Sequence, residues 1–166
     1  MHDLGYVHND IKLDNVLVGY KDPSLLYLID FGLSSKYLNE DGSHIEKLDL
    51  QSFAGNLLFA STNGCRGNTK SRRDDLQSAI YVMIYLLNGN KLPWSRMAKE
   101  FPDYDLKDYL EERLDLKYTK QFFDIVPKSL RNPIKKIFLL GFEDHPPYDI
   151  LIEKIQREIQ KIVDAD

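Results

Sequence analysis

The chain has 166 residues, 43% of them hydrophobic and 29% charged, with a formal net charge of −4. This composition suits one core-bearing globular domain and excludes fibrous and low-complexity classes, while the acidic balance gives no electrostatic footprint for nucleic acid. Cys65 is the single cysteine, so neither an internal disulfide nor a cysteine-based zinc site can form.

The opening Met-His-Asp-Leu lacks the charged and apolar regions of a signal peptide. The apolar run Tyr81 to Leu87 is too short to cross a bilayer. The expectation is a soluble intracellular protein, cytoplasmic or nuclear, with no membrane or nucleic-acid partner.

Short β-type runs come first: Tyr6-Val7, Val16 to Val18, and Leu25 to Ile29, the last two joined by the turn-rich GYKDPS. A polar run separates the first two and holds Asp10, Lys12, Asp14 and Asn15; the third delivers Asp30-Phe31-Gly32 into another turn. A carboxylate and an amide make a hard-oxygen pair suited to Mg²⁺, a second carboxylate can accept a proton, and Lys12 supplies positive charge for phosphate oxygens. That chemistry is phosphoryl transfer.

From Ser34 to about Thr69 the sequence is polar and glycine-punctuated with no sustained period, which predicts a long functional loop. Cys65 reads as an ordinary surface thiol within it. Next, DDLQSAIYVMIYLLNG opens on acidic residues, closes at Asn88-Gly89 and is apolar nearly all round, the pattern of a buried helix. Trp94, after Leu-Pro, is expected in the core. DLKDYLEERLDLKY places Leu106, Tyr109, Leu110 and Leu114 on one helical face, and PKSLRNPIKKIFLLGF predicts a helix interrupted or begun near Pro133. The tail carries Ile152, Ile155, Ile159 and Ile162 at three- and four-residue steps, a stripe expected to face the core. His2, His44 and His145 show no spacing that suggests a metal site.

VHNDIKLDNVLV resembles the catalytic loop of protein kinases (His-Arg-Asp, any residue, Lys, two residues, Asn), and IDFGL resembles the metal-binding motif that follows it. SRRDDLQSAIYVMIYLLNGNKLPW resembles the segment of casein kinase 1 type enzymes that begins Ser-Arg-Arg-Asp-Asp-Leu-Glu-Ser and ends Leu-Pro-Trp. GNLLFASTN is similar to that family's Gly-Thr-x-x-Tyr-Ala-Ser-x-Asn, and LGFEDHPPYDIL to its late Phe-x-x-x-Pro-x-Tyr signature. The vaccinia-related kinases are a near alternative, which YKDPSLLYLIDFGL suits as well.

The resemblance implies an α+β, mainly α, protein-kinase-like fold: the C-terminal helical lobe, with short β-hairpins around the catalytic loop and the N-terminal β lobe missing. Residues 1–166 would form a partial kinase domain with the catalytic loop at 8–15, the metal motif at 30–32, an activation segment at about 33–63 and a helical body at about 73–163. Asp10 would be the catalytic base and Lys12 would steady the transferred phosphate, while Asn15 and Asp30 would hold Mg²⁺ on ATP. Asp75 would bond the catalytic-loop backbone from below, and His8 would pack beneath the site. The partners implied are ATP and a protein substrate.

Departures from the family pattern carry their own expectations. Asn9 replaces the arginine that would clamp a phosphorylated activation loop. Leu58 stands where an arginine linked to acidic substrates is usual, and Ile80 replaces a glycine in the buried helix. Arg72 and Arg73 suit either structural pairing with nearby acids or contact with a phosphorylated partner. The chain contains no G-x-G-x-x-G, so two readings stand. One is a serine/threonine kinase lobe that works when completed by an N-terminal lobe. The other is a non-catalytic relic serving as a protein-interaction module.

Overall fold

The computed structural model describes residues 1–49, 53, 55–95 and 120–164. Among the described residues the β content is two small antiparallel pairs and two isolated bridges. Strand β1 (Tyr6–Val7) pairs with β4 (Ser35–Lys36), with Tyr6 opposite Lys36 and Val7 opposite Ser35. Strand β2 (Val16–Val18) pairs with β3 (Leu26–Leu28) through Val16–Leu28, Leu17–Tyr27 and Val18–Leu26. The predicted hairpin is therefore present. Its connection is tight because the Asp22 carboxylate accepts from the Ser24 amide at 3.0 Å and hydroxyl at 2.6 Å. Only glycine fits at position 19, where a Cβ would stand 2.5 Å from the Asp22 carbonyl oxygen.

The segment expected as one long loop contains β4 and a short helix, α1 (Thr62–Cys65), capped by the Ser61 hydroxyl accepting from the Gly64 amide at 2.9 Å. This corrects the reading of Cys65, which is buried at 3% exposure because α1 turns it inward. Glycine-flanked sequence gives no sign of such a turn.

Helix α2 (Arg72–Leu87) is the central element. The Asp74 carboxylate accepts from the Ser71 backbone N–H at 2.9 Å, satisfying a donor just before the first turn. Ile80, Tyr81, Val82 and Ile84 are buried, whereas Leu86 and Leu87 at its C-terminal end are about half exposed. Around α2 sit α3 (Lys120–Ile125), α4 (Lys128–Phe138) and α5 (Tyr148–Val163). Tyr81 meets Trp94 and Phe122 edge-on at 5.1 and 5.3 Å between ring centroids, and Phe122 stacks on Phe138 at 5.7 Å. Trp94 is fully buried, and its indole N–H donates to the Leu58 carbonyl at 2.8 Å, fastening the glycine-punctuated segment to the core. Ile80 belongs to the same core cluster.

Two helix expectations need correction. Helix α4 begins at Lys128 and runs through Pro133 without interruption, held by the burial of Leu130, Ile134 and Ile137 against α2. On α5 the inward residues are Leu151 and Ile155, while Ile152 and Ile159 are 51% and 55% exposed. Periodicity marks an apolar stripe but not which edge of it packs. The Ile162 side chain lies outside the described residues, as do Leu106, Tyr109, Leu110 and Leu114. Among the described residues no helix is long and apolar enough to cross a membrane.

Candidate active site

The polar run between β1 and β2 is an irregular loop ending in a 3₁₀ turn, Leu13–Asn15. Asp10 is 7% exposed and Asn15 4% exposed, so their polar atoms need partners. The Asn15 amide nitrogen donates to the Asp10 carbonyl at 2.9 Å and to Asp10 Oδ2 at 3.1 Å, and Lys12 Nζ reaches the same carboxylate oxygen at 2.6 Å. With its nitrogen on Asp10, the amide turns Oδ1 to its opposite side. The Asp10 bond, with the charges of Asp30 and Asp14 nearby, raises the Lys12 pKa above the usual lysine value against the opposing effect of burial. Asp30 is tied to the loop through its predecessor, since the Ile29 amide donates to the Asn15 carbonyl at 3.0 Å.

The structure thus brings Asp10, Lys12, Asn15 and Asp30 together. Asn9 and Asp30 both adopt left-handed backbone angles, φ 68° and 61°. Such conformations in non-glycine residues persist where the surroundings over-determine them, and they cluster at functional sites. Asp10 Oδ1 is, among the described residues, the one buried carboxylate oxygen with no hydrogen-bond partner. Gly55 lies beside it: at φ +128° it is in glycine territory, and a Cβ there would stand 3.8 Å from that oxygen.

Support comes from below. Asp75, 3% exposed in the first turn of α2, accepts from the His8 amide at 2.7 Å and the Asn9 amide at 2.9 Å. A third bond to its carboxylate, from His2 Nε2 at 2.9 Å, has no signal in the sequence, and His2 Nδ1 lies 2.6 Å from the Tyr148 hydroxyl. His8 is fully buried, its ring centroid 5.3 Å from that of Phe31 with the two rings tilted at 57°. Its Nδ1 accepts from the Asp10 amide at 3.3 Å, which assigns the proton to Nε2, 3.0 Å from the Ile29 carbonyl.

Arg72 and Arg73 turn inward. Arg72 donates to the Glu143 carbonyl at 2.7 Å and lies 4.6 Å over the Tyr37 ring; Arg73 donates to the Leu140 carbonyl at 2.9 Å with its Nε 3.6 Å from Asp74. The structural side of that open choice is the one the contacts follow. The Asn9 side chain, where the family pattern has arginine, donates to the Leu33 carbonyl at 2.8 Å and the Ser35 hydroxyl at 2.9 Å. An open groove of about 820 Å³ runs from Gly55 past Leu57, Leu58, Tyr85 and Pro93, with Lys91 the one charged residue among the described residues lining it.

Residues 1–143 match the family model of the protein kinase domain, and the chain belongs to that family. Among curated proteins it is 46% identical over 94 residues to a "Probable casein kinase I homolog" of Encephalitozoon cuniculi, covering 57% of this chain and 29% of that one. It is 32% identical over 154 residues to a "Probable serine/threonine-protein kinase" of Dictyostelium discoideum, covering 91% of this chain and 29% of the relative. Against "Casein kinase I homolog 3" of Schizosaccharomyces pombe the identity is 28% over 171 residues, 100% of this chain and 38% of the relative. Within the kinases the chain is casein kinase 1-like, and it spans between 29% and 38% of the length of these relatives.

Proposed function

We propose that this site transfers the terminal phosphoryl group of ATP to serine or threonine hydroxyls of protein substrates, in company with a β-rich lobe carrying the glycine-rich loop that these 166 residues do not contain. The observation that carries the proposal is the buried Oδ1 of Asp10, which has no hydrogen-bond partner among the described residues. A carboxylate oxygen in that state lacks one hydrogen bond, and a substrate hydroxyl would supply it. As the oxygen–phosphorus bond forms and the bond to ADP breaks, the hydroxyl proton passes to Asp10. Lys12, already bonded to Asp10, is charged at neutral pH and would steady the phosphate in flight. Asn15 Oδ1 and the exposed Asp30 carboxylate are the hard-oxygen donors that would hold magnesium, whose charge would neutralise the phosphate oxygens. His8 and Asp75 hold the loop.

The domain divisions follow this assignment: catalytic loop 8–15, metal motif 30–32, activation segment about 33–63 and helical body about 73–163. The groove beyond Gly55 would receive the substrate chain. Leu58 in its wall supplies no positive charge, which leaves Lys91 as the one described side chain there to attract acidic or prephosphorylated sequences.

The test is to pull the native protein from its cells with an antibody to the tail helix, measure its intact mass, and assay phosphoryl transfer beside Asp10→Asn. The expected result is a mass above 19.4 kDa, with transfer that falls about 10²–10⁴-fold in the variant. Transfer undiminished in Asp10→Asn would overturn the assignment. A non-catalytic interaction module is the second reading, favoured by the exposed apolar hairpin of β2 and β3, and a native mass of 19.4 kDa without transfer would establish it.

A further inference from the structure

We infer that Lys70 is a positioning residue of the catalytic loop, whose ammonium fixes the peptide plane joining Asn9 to Asp10 and so sets the direction of the Asp10 carboxylate. Lys70 Nζ donates to the Asn9 carbonyl at 2.8 Å. That carbonyl shares a rigid plane with the Asp10 N–H, so a bond to one fixes the other. The fixing is needed, because among the described residues the Asp10 N–H has only a long 3.3 Å contact to His8 Nδ1 and Asn9 sits in a left-handed conformation at φ 68°.

Asn9 is held from several sides: its N–H by Asp75 at 2.9 Å, its side-chain amide by the Leu33 carbonyl and the Ser35 hydroxyl, and its carbonyl by Lys70. Lys70 is the member of this set that carries positive charge, in a loop where Asn9 itself offers none. It leads directly into Ser71 and α2, so its backbone rests on a rigid element. Its stem lies against Gly64, where an added Cβ would meet Lys70 Cδ at 3.3 Å. Its Nζ is 3.9 Å from the point where a Cβ on Gly55 would stand, the point that also lies 3.8 Å from Asp10 Oδ1. The cation and the partnerless oxygen therefore flank the same glycine. Burial lowers the pKa of this ammonium, while the charges of Asp75, Asp74 and Asp10 oppose the shift.

The inference rests on the proposed phosphoryl-transfer reading in taking Asp10 as the group that matters, but its test does not need turnover. Amide hydrogen exchange of the 166-residue chain is compared for the unmodified protein, Lys70→Met and Lys70→Arg. In Lys70→Met, exchange at His8, Asn9 and Asp10 is expected to rise about tenfold or more while α4 stays unchanged, and Lys70→Arg is expected to recover most of the protection. No change in Lys70→Met, a rise spread equally over α4, or no recovery with arginine would each overturn the inference. Should Lys70→Met fail to fold, the unmodified chain decides: a slowly exchanging Lys70 ammonium resonance with hydrogen-bond coupling to the Asn9 carbonyl supports it, and absence of that coupling overturns it. Intact protection here, beside a native protein longer than this chain that transfers no phosphate, would fail the kinase reading alone.

Discussion

At the scale of single residues, the motif positions were legible because their order along the chain carries the chemistry. Tyr148 shows the opposite case. Burial pushes its hydroxyl pKa from 10.0 up to about 12. A raised value means the folded state keeps the proton where the unfolded chain loses it, so this contribution is whole below pH 10 and is lost as pH rises towards 12. Stability is expected to fall by roughly 1–2 kcal/mol more over that window than in Tyr148→Phe, after discounting for partial solvent access. Urea titrations at pH 9 and pH 11, compared between the two proteins, check it; equal slopes would remove the effect. The His2–Tyr148 and His2–Asp75 bonds join residues far apart in sequence, and no local pattern announces them. Lys70 was hidden for the same reason, lying in the polar run from Asn68 to Asp75 and having its partner, a backbone carbonyl, in another loop.

At the scale of elements, α2 and the β2–β3 hairpin were readable because caps, turn residues and hydrophobic runs coincide with their ends. Helix α5 was readable as a helix but not in its orientation. Its apolar residues are spread too widely round the helix for periodicity to choose a packing edge, and the choice falls to α4, against which α5 packs. Opposite effects are therefore expected from neighbouring substitutions. Leu151→Ala, at 7% exposure, should destabilise by roughly 2–4 kcal/mol. Ile152→Ala, at 51% exposure, should change stability by less than about 0.5 kcal/mol. Denaturant midpoints decide it, and the reverse order would mean that Ile152 and not Leu151 faces the core.

At the scale of the whole molecule, the helical body would position one side of the proposed nucleotide site. In the proposed reading Asp10, Lys12, Asn15 and Asp30 would contact phosphates and metal, but an adenine ring needs apolar surface on both faces. Here the neighbouring apolar surface is open: Val18 is 63% exposed, Leu26 66% and Tyr27 55%. Positioning in a closed site contributes about 7–11 kcal/mol to a two-substrate reaction, and an open half-site supplies little of it. The 166-residue chain is therefore expected to bind Mg-ATP more weakly than about 0.1 mM, an affinity of about 5–6 kcal/mol, and to turn over negligibly by itself. Isothermal calorimetry on the chain measures this directly. Micromolar binding would mean that some part of this chain closes over the adenine, and the open hairpin face is where chemical-shift changes should then be sought.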